Sequence, residues 1–221
     1  MPDLNTRIKL SGLYAVTPDD QHTPRLTALV GSALEGGVRL VQFRSKSTLP
    51  ELRRSQAAEL LRLCRVRGAR LIINDDLTLA LALGADGVHL GRDDGDVSAA
   101  RAALGPDKLL GVSCYADLGC AASAAAAGAD YLAFGSMYPS ATKPEAPPAP
   151  LALLGEARRR YGLPVAAIGG INLANAARTI AAGADLLAVV SDLFDAKDIG
   201  ARAREYAGLF ASSENRPDQA R

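Results

Sequence analysis

The chain has almost no excess of charge: 25 lysines and arginines stand against 24 aspartates and glutamates in 221 residues, a formal net charge of +1. A general nucleic-acid or membrane-surface binder would carry a basic face. This balance argues against both, so any cation that matters must act locally. Cysteine is scarce as well. Cys64, Cys114 and Cys120 are odd in number and have neither CxxC nor metal-ligand spacing. They read as small core hydrophobes in a reducing compartment. No stretch approaches the roughly 18 uninterrupted apolar residues of a membrane span, and MPDLNTRIKL lacks an apolar leader core. The expectation is a cytoplasmic protein. Histidine is limited to His22 and His89. His22 reads as a surface residue near a helix start. His89, inside an apolar run, reads as a satisfied core residue before a catalytic base.

What is present is one pattern repeated: apolar strand, polar loop, amphipathic helix. Strand-like runs fall at 12–16, 38–43, 69–74, 86–90, 108–113, 130–135, 164–169 and 185–190. Helical periodicity fills the gaps. In the segment 48–68, for instance, Leu52, Ala57, Leu60, Leu61 and Cys64 recur near a 3.6-residue period. Eight strands alternating with eight helices in about 210 residues predict a single (β/α)₈ TIM barrel. A doubly wound open sheet is the runner-up. The barrel is expected over residues 1–210, with a last helix at 199–210 and a polar, disordered tail at 211–221. GAD recurs at 84–86, 128–130 and 183–185, each time between a helix end and a strand. Glycine suits the left-handed helix cap there, so these aspartates read as scaffold on the bottom face.

Function in a barrel sits where the strands end. Reading only those positions gives QFRSK, ND, GRDD, VS, GSMYPSATK, GGIN and VSDLF. In QFRSK, alternation puts Gln42, Arg44 and Lys46 on one side and Phe43 on the other. Two cations and an amide there suit a diphosphate. Asp75 and Asp94 leave neighbouring parallel strands at the same edge. Two close carboxylates repel unless a cation or a shared proton intervenes. They read either as a Mg²⁺ site holding a substrate phosphate or as a helix cap and a polar turn. The long loop after strand six carries Ser140, Thr142 and Lys143, which suit phosphate as well, though a tethering loop is the plain alternative. The glycines of IGGIN would let backbone N–H groups approach a ligand, and Val190 and Ser191 follow strand eight. Cys114 has no evident base and is not assigned as a nucleophile.

In order along the chain, VQFRSK, INDD, ADGVHLGRDD, GVSCY, GADYLAFGSMYPSATKP, LPVAAIGGI and GADLLAVVS resemble the thiamine-phosphate synthase family, across almost the whole sequence. The resemblance implies joining a pyrimidine diphosphate to a thiazole phosphate, with release of pyrophosphate. It implies a diphosphate that leaves first, so that charge stabilisation does most of the work. It implies that Gln42, Phe43, Arg44, Ser45 and Lys46, with Asn74, Ser113 and Lys143, bind the pyrimidine diphosphate. Arg44, Lys46 and Lys143 would stabilise the leaving group. Asp75 and Asp94 would bind one Mg²⁺ per subunit. Ser140, Thr142, Gly170, Val190 and Ser191 would hold the thiazole phosphate. Such barrels tend to dimerise, although no segment marks an interface, and neither nucleic acid nor membrane is expected as a partner.

The chain departs from the family pattern in three places. QFRSK stands for QLREK, Arg92 replaces a glutamine beside the aspartates, and Ser140 replaces a threonine. Two rival readings use the same barrel. One is a thiazole tautomerase, which needs a histidine shortly after the strand-five serine. Here Cys114, Tyr115 and Ala116 follow Ser113. The other is a non-catalytic barrel that binds thiamine phosphates and regulates a partner.

Overall fold

Strand residues alternate between two environments, and that alternation closes the sheet. The structure, a computed structural model, describes residues 10–91, 94–139 and 149–214. Its strands are β1 (Gly12–Val16), β2 (Leu40–Phe43), β3 (Arg70–Asn74), β4 (Gly87–Leu90), β5 (Leu109–Tyr115), β6 (Tyr131–Phe134), β7 (Val165–Ile168) and β8 (Leu186–Val189). Every neighbouring pair is parallel, and β8 pairs with β1 to complete a barrel in sequence order. The (β/α)₈ expectation is met, and the open sheet is excluded by that closing ladder.

Leu13, Val41, Phe43, Leu71, Ile73, Val88, Leu110, Leu132, Ala167 and Leu187 point outward into a continuous apolar layer beneath the helices. Tyr14, Val16, Leu40, Ile72, Leu109, Tyr131, Ala166 and Leu186 point inward and fill the barrel. Along β6, β7 and β8 the inward side chains include the small Ala133, Ala166 and Ala188, all of which line the cavity. The interior is therefore packed below and open above.

The helices are α1 (Thr23–Glu35), α2 (Pro50–Val66), α3 (Leu77–Leu83), α4 (Val97–Leu104), α5 (Leu118–Ala126), α6 (Ala152–Tyr161), α7 (Leu173–Ala181), the single turn α8 (Ser191–Phe194) and α9 (Ile199–Glu214). The crossover after β8 is thus split in two, and α9 extends past residue 210, where the sequence alone suggested the barrel would end. The GAD aspartates act as the repeat implied. Asp86, Asp130 and Asp185 each accept the first free amide of the preceding strand, from Leu71 (2.8 Å), Leu110 (2.8 Å) and Val165 (3.0 Å). Each therefore locks a strand to its neighbour at the bottom face, away from the site.

Candidate active site

The C-terminal mouth of the barrel opens into a cavity of about 780 Å³. Gln42, Arg44, Asn74, Asp75, Asp94, Ser113, Gly170, Val190 and Ser191 all line it. All eight strands contribute to its wall, from Tyr14 on β1 to Ala188 on β8, so the sequence-derived site residues converge from distant segments.

The carboxylate pair is built by local backbone geometry. Asp75 adopts a left-handed conformation, φ +64°, which aspartate tolerates better than most residues. Its amide donates to the carbonyl of His89 (2.8 Å), tying the end of β3 to β4. The cap of α3 is the next residue, Asp76, whose Oδ1 accepts from the Leu79 amide (2.8 Å). The capping alternative for Asp75 is thereby removed: the adjacent carboxylate does that work and leaves Asp75 turned to the cavity. Asp94 does sit in a turn, with Oδ2 accepting from the Gly91 amide (2.8 Å). The two carboxyl groups lie within hydrogen-bonding reach of each other. Burial, and then Asp94, push the Asp75 carboxyl up to about 6, while Asn74 and Arg44 act in the opposite sense.

Such a pair is chemically unsatisfied on its own. Among the described residues no group of three or more His, Cys, Asp or Glu gathers as a ready-made metal cage. Two carboxylates at the rim of this cavity fit Mg²⁺, which typically takes one or two carboxylates and completes its shell from substrate phosphates and water.

The segment after β2 divides. Gln42 is buried inside the barrel, and its Nε2 donates to the Tyr14 hydroxyl (2.7 Å). Arg44 reaches the cavity, its backbone held on both sides by Thr17. The Phe43 side chain lies under the helices at 2% exposure and cannot meet a ligand. Ser45 and Lys46 do not line the cavity. Lys46 is exposed, and its amide is anchored on Asp19 (2.9 Å). Strand alternation ends at Phe43, so Lys46 does not inherit the direction of Gln42 and Arg44. Ser140, Thr142 and Lys143 lie outside the described residues.

On the opposite side, Gly169 and Gly170 have φ of +95° and +65°. Both line the cavity, but the close approach they permit is to protein. A Cβ on Gly170 would fall 2.5 Å from the Pro139 carbonyl oxygen, and one on Gly169 2.3 Å from Ser136 Oγ. The glycines of IGGIN therefore seat the start of the β6–α6 loop against β7. Next to Ser191 stands an acidic residue, Asp192, an awkward neighbour for phosphate. Its carboxylate is taken by Arg202 (2.7 Å) and by the Tyr206 hydroxyl (2.7 Å), both from α9.

Sequence reasoning missed several members. Tyr14 and Tyr115 line the cavity, Tyr115 in a left-handed conformation (φ +55°). His89, expected to be a core residue with no partner in sequence, is buried but well partnered: Tyr131 Oη lies 3.0 Å from Nδ1 and Ser113 Oγ 2.9 Å from Nε2. Tyr14 and Tyr131 occupy inward positions of GLYAV and DYLAF, so strand parity would have flagged them. Burial holds the Cys114 thiol far above its usual range, which agrees with its not being a nucleophile. His22, as expected, is exposed at a helix start, where its Nδ1 caps α1.

Residues 13–193 match the family model described as thiamine monophosphate synthase. The chain is 56% identical to the thiamine-phosphate synthase of Aromatoleum aromaticum over 210 residues, covering 95% of this chain and 99% of that one. It is 53% identical to the thiamine-phosphate synthase of Chromobacterium violaceum over 204 residues, 92% and 98% of the two chains. Among solved structures, the thiamine phosphate pyrophosphorylase of Pyrococcus furiosus superposes with a TM-score of 0.82 at 33% identity, covering 94% of this chain and 98% of that one. The 3-hexulose-6-phosphate synthase of Salmonella typhimurium, at 19% identity and a TM-score of 0.71 over 91% and 99% of the two chains, shares the fold alone.

Proposed function

The chain belongs to the thiamine monophosphate synthase family, and from that premise we propose how its cavity carries out the family's reaction. It is a thiamine-phosphate synthase, a transferase that joins 4-amino-5-hydroxymethyl-2-methylpyrimidine diphosphate to a thiazole phosphate. Thiamine phosphate and pyrophosphate are the products. The observation that carries the site assignment is the meeting of Arg44 with the Asp75–Asp94 pair in one cavity that also contains Ser113 and Gln42.

Asp75 and Asp94 hold the divalent cation, which when bound neutralises charge on the diphosphate. Arg44 faces the same end and binds the diphosphate oxygens, supported there by Lys143 of the β6–α6 loop. Gln42, Asn74 and Ser113 orient the pyrimidine. Ser140, Thr142, Gly170, Val190 and Ser191 hold the thiazole phosphate, with Asp192 kept neutralised by Arg202. Bond breaking at the diphosphate leaves cationic character on the pyrimidinylmethyl carbon, which the thiazole nitrogen captures. The protein's task is to stabilise departing negative charge and hold the second substrate in line, so no general base is required. The raised Asp75 carboxyl supports the cation assignment, since a metal relieves the repulsion that burial intensifies. Two buried free thiols, Cys64 and Cys114, suit work in the cytoplasm.

The test is direct. The purified protein with both substrates and Mg²⁺ should release thiamine phosphate and pyrophosphate in equal amounts, and chelation should stop it. Asp75→Ala and Lys143→Ala should each lower kcat/KM by two or more orders of magnitude. Turnover that persists without metal, or ligand binding with no pyrophosphate formed, would overturn the reading.

A further inference from the structure

Five polar side chains form one unbroken chain across the barrel interior. Gln42 Nε2 donates to Tyr14 Oη at 2.7 Å, and Tyr14 Oη lies 2.8 Å from Tyr131 Oη. Tyr131 Oη lies 3.0 Å from His89 Nδ1, and His89 Nε2 lies 2.9 Å from Ser113 Oγ. Tyr14, Tyr131, Gln42 and His89 are 1%, 0%, 4% and 7% exposed. Both ends, Gln42 and Ser113, line the cavity, whereas Tyr131 does not.

The direction of this chain follows from counting donors. An amide nitrogen can only donate, so Tyr14 Oη accepts from Gln42. The Tyr14 hydrogen then has one acceptor in this chain, Tyr131 Oη. The opposite arrangement would strand a buried hydroxyl hydrogen at a cost of about 1–3 kcal/mol. Tyr131, having accepted, passes its own hydrogen to His89 Nδ1. The neutral imidazole must then carry its proton on Nε2, and Nε2–H donates to Ser113 Oγ. Ser113 is left with its hydrogen free to point into the cavity.

We infer that Tyr131, which is fully buried and does not line the cavity, is a positioning residue that acts through His89 to make Ser113 a hydrogen-bond donor toward the substrate. The atom that Ser113 meets must then be an acceptor, such as an unprotonated ring nitrogen or a phosphoryl oxygen. The space for this arrangement is reserved in the backbone. A Cβ on Gly111 would fall 2.0 Å from the Tyr131 ring, so only glycine at that point of β5 admits the phenol. The Tyr131 ring also stacks on His89, with centroids 5.6 Å apart and planes at 27°, and meets Tyr14 edge-on at 5.8 Å. These contacts hold the phenol and imidazole in fixed orientation.

The relay does not depend on the proposed reaction for its existence, but its effect on turnover does. The experiment therefore has two arms. Nitrogen-15 histidine labelling in a His22→Asn background leaves His89 as the one imidazole in the spectrum, and asparagine keeps the α1 cap. The expected spectrum is the Nε2–H tautomer with an unprotonated Nδ1, passing to a mixture in Tyr131→Phe. In the kinetic arm, Y131F should raise KM for the pyrimidine diphosphate about tenfold and leave KM for the thiazole phosphate unchanged. Combining Y131F with Ser113→Ala should add nothing to S113A alone, because both remove the same donor. An Nδ1–H tautomer in the unsubstituted Tyr131 protein overturns the inference whether or not Y131F folds. So does an unaltered tautomer in Y131F, or a loss that adds fully to that of S113A. A protein with the expected tautomer and no turnover would instead sink the proposed reaction and leave the relay standing.

Discussion

Single residues at this site owe their roles to their neighbours. Asp75 and Asp76 are identical side chains one position apart, yet one caps α3 and the other faces the cavity. Which takes which role is decided by the left-handed backbone at Asp75. His89 illustrates the energetic side. In the folded protein, burial lowers its pKa from 6.5 to about 4, whereas in the unfolded chain it titrates near its ordinary value. Between those two values the unfolded state binds more protons, so acidification favours unfolding. The contribution is full above pH 6.5 and falls away as the pH drops toward 4, by on the order of 3 kcal/mol in total. Denaturant titrations at pH 7.5 and pH 5 should thus show a larger loss for the native sequence than for His89→Gln. Equal losses would mean that His89 already carries its proton in the fold.

At the scale of elements, each strand is fixed at one end by scaffold and left free at the other for chemistry. The Asp130 carboxylate accepts the Leu110 amide and also pairs with Arg101, whose guanidinium reaches the carbonyls of Gly105 (2.7 Å) and Lys108 (2.9 Å). One acidic residue thus joins α4, β5 and β6 on the bottom face. Asp130→Ala leaves a strand amide and a partly buried guanidinium without their partner, and should cost about 2 kcal/mol of stability. Because the change lies at the far end of the barrel, KM for both substrates should stay the same in the folded fraction. Steady-state kinetics beside thermal melts would check both halves. The top face obeys different demands. The glycine pair after β7 matches a ligand-binding loop in sequence, yet its open backbone is used to seat Ser136 and Pro139. The described start of the segment after β6 is therefore seated against the end of β7.

For the whole molecule, closure of eight parallel strands brings Arg44, Asp75, Asp94, Ser113 and Ser191 into one cavity although they span almost 150 positions of the chain. Two carboxylates alone would make a weak Mg²⁺ site, which diphosphate oxygens would complete. Ligands that bind the native state cooperatively raise its stability together. The Tm should therefore rise more with Mg²⁺ and pyrophosphate combined than the sum of their separate effects, and that excess should vanish in Asp94→Ala. A purely additive response would separate the cation from the diphosphate.

The sequence by itself determined the barrel, because period-two apolar runs separated by 3.6-period helices and GAD turns leave few other ways to bury both faces of each strand. It also determined which strand ends are polar, and so most of the cavity wall: Gln42, Arg44, Asn74, Asp75, Asp94, Ser113, Gly170 and Ser191. Tertiary structure decided what depends on side-chain direction and on contacts between distant strands. Phe43 and Lys46 belong to the same short motif as Arg44, but one turns under the helices and the other stays in solvent once the strand ends. Tyr14, Tyr131 and His89 lie more than 100 positions apart at the extremes, and no local pattern announces that their polar atoms meet. Only closure of the barrel places them at hydrogen-bonding distance, since a hydrogen bond is set by geometry in space and a motif by order along the chain.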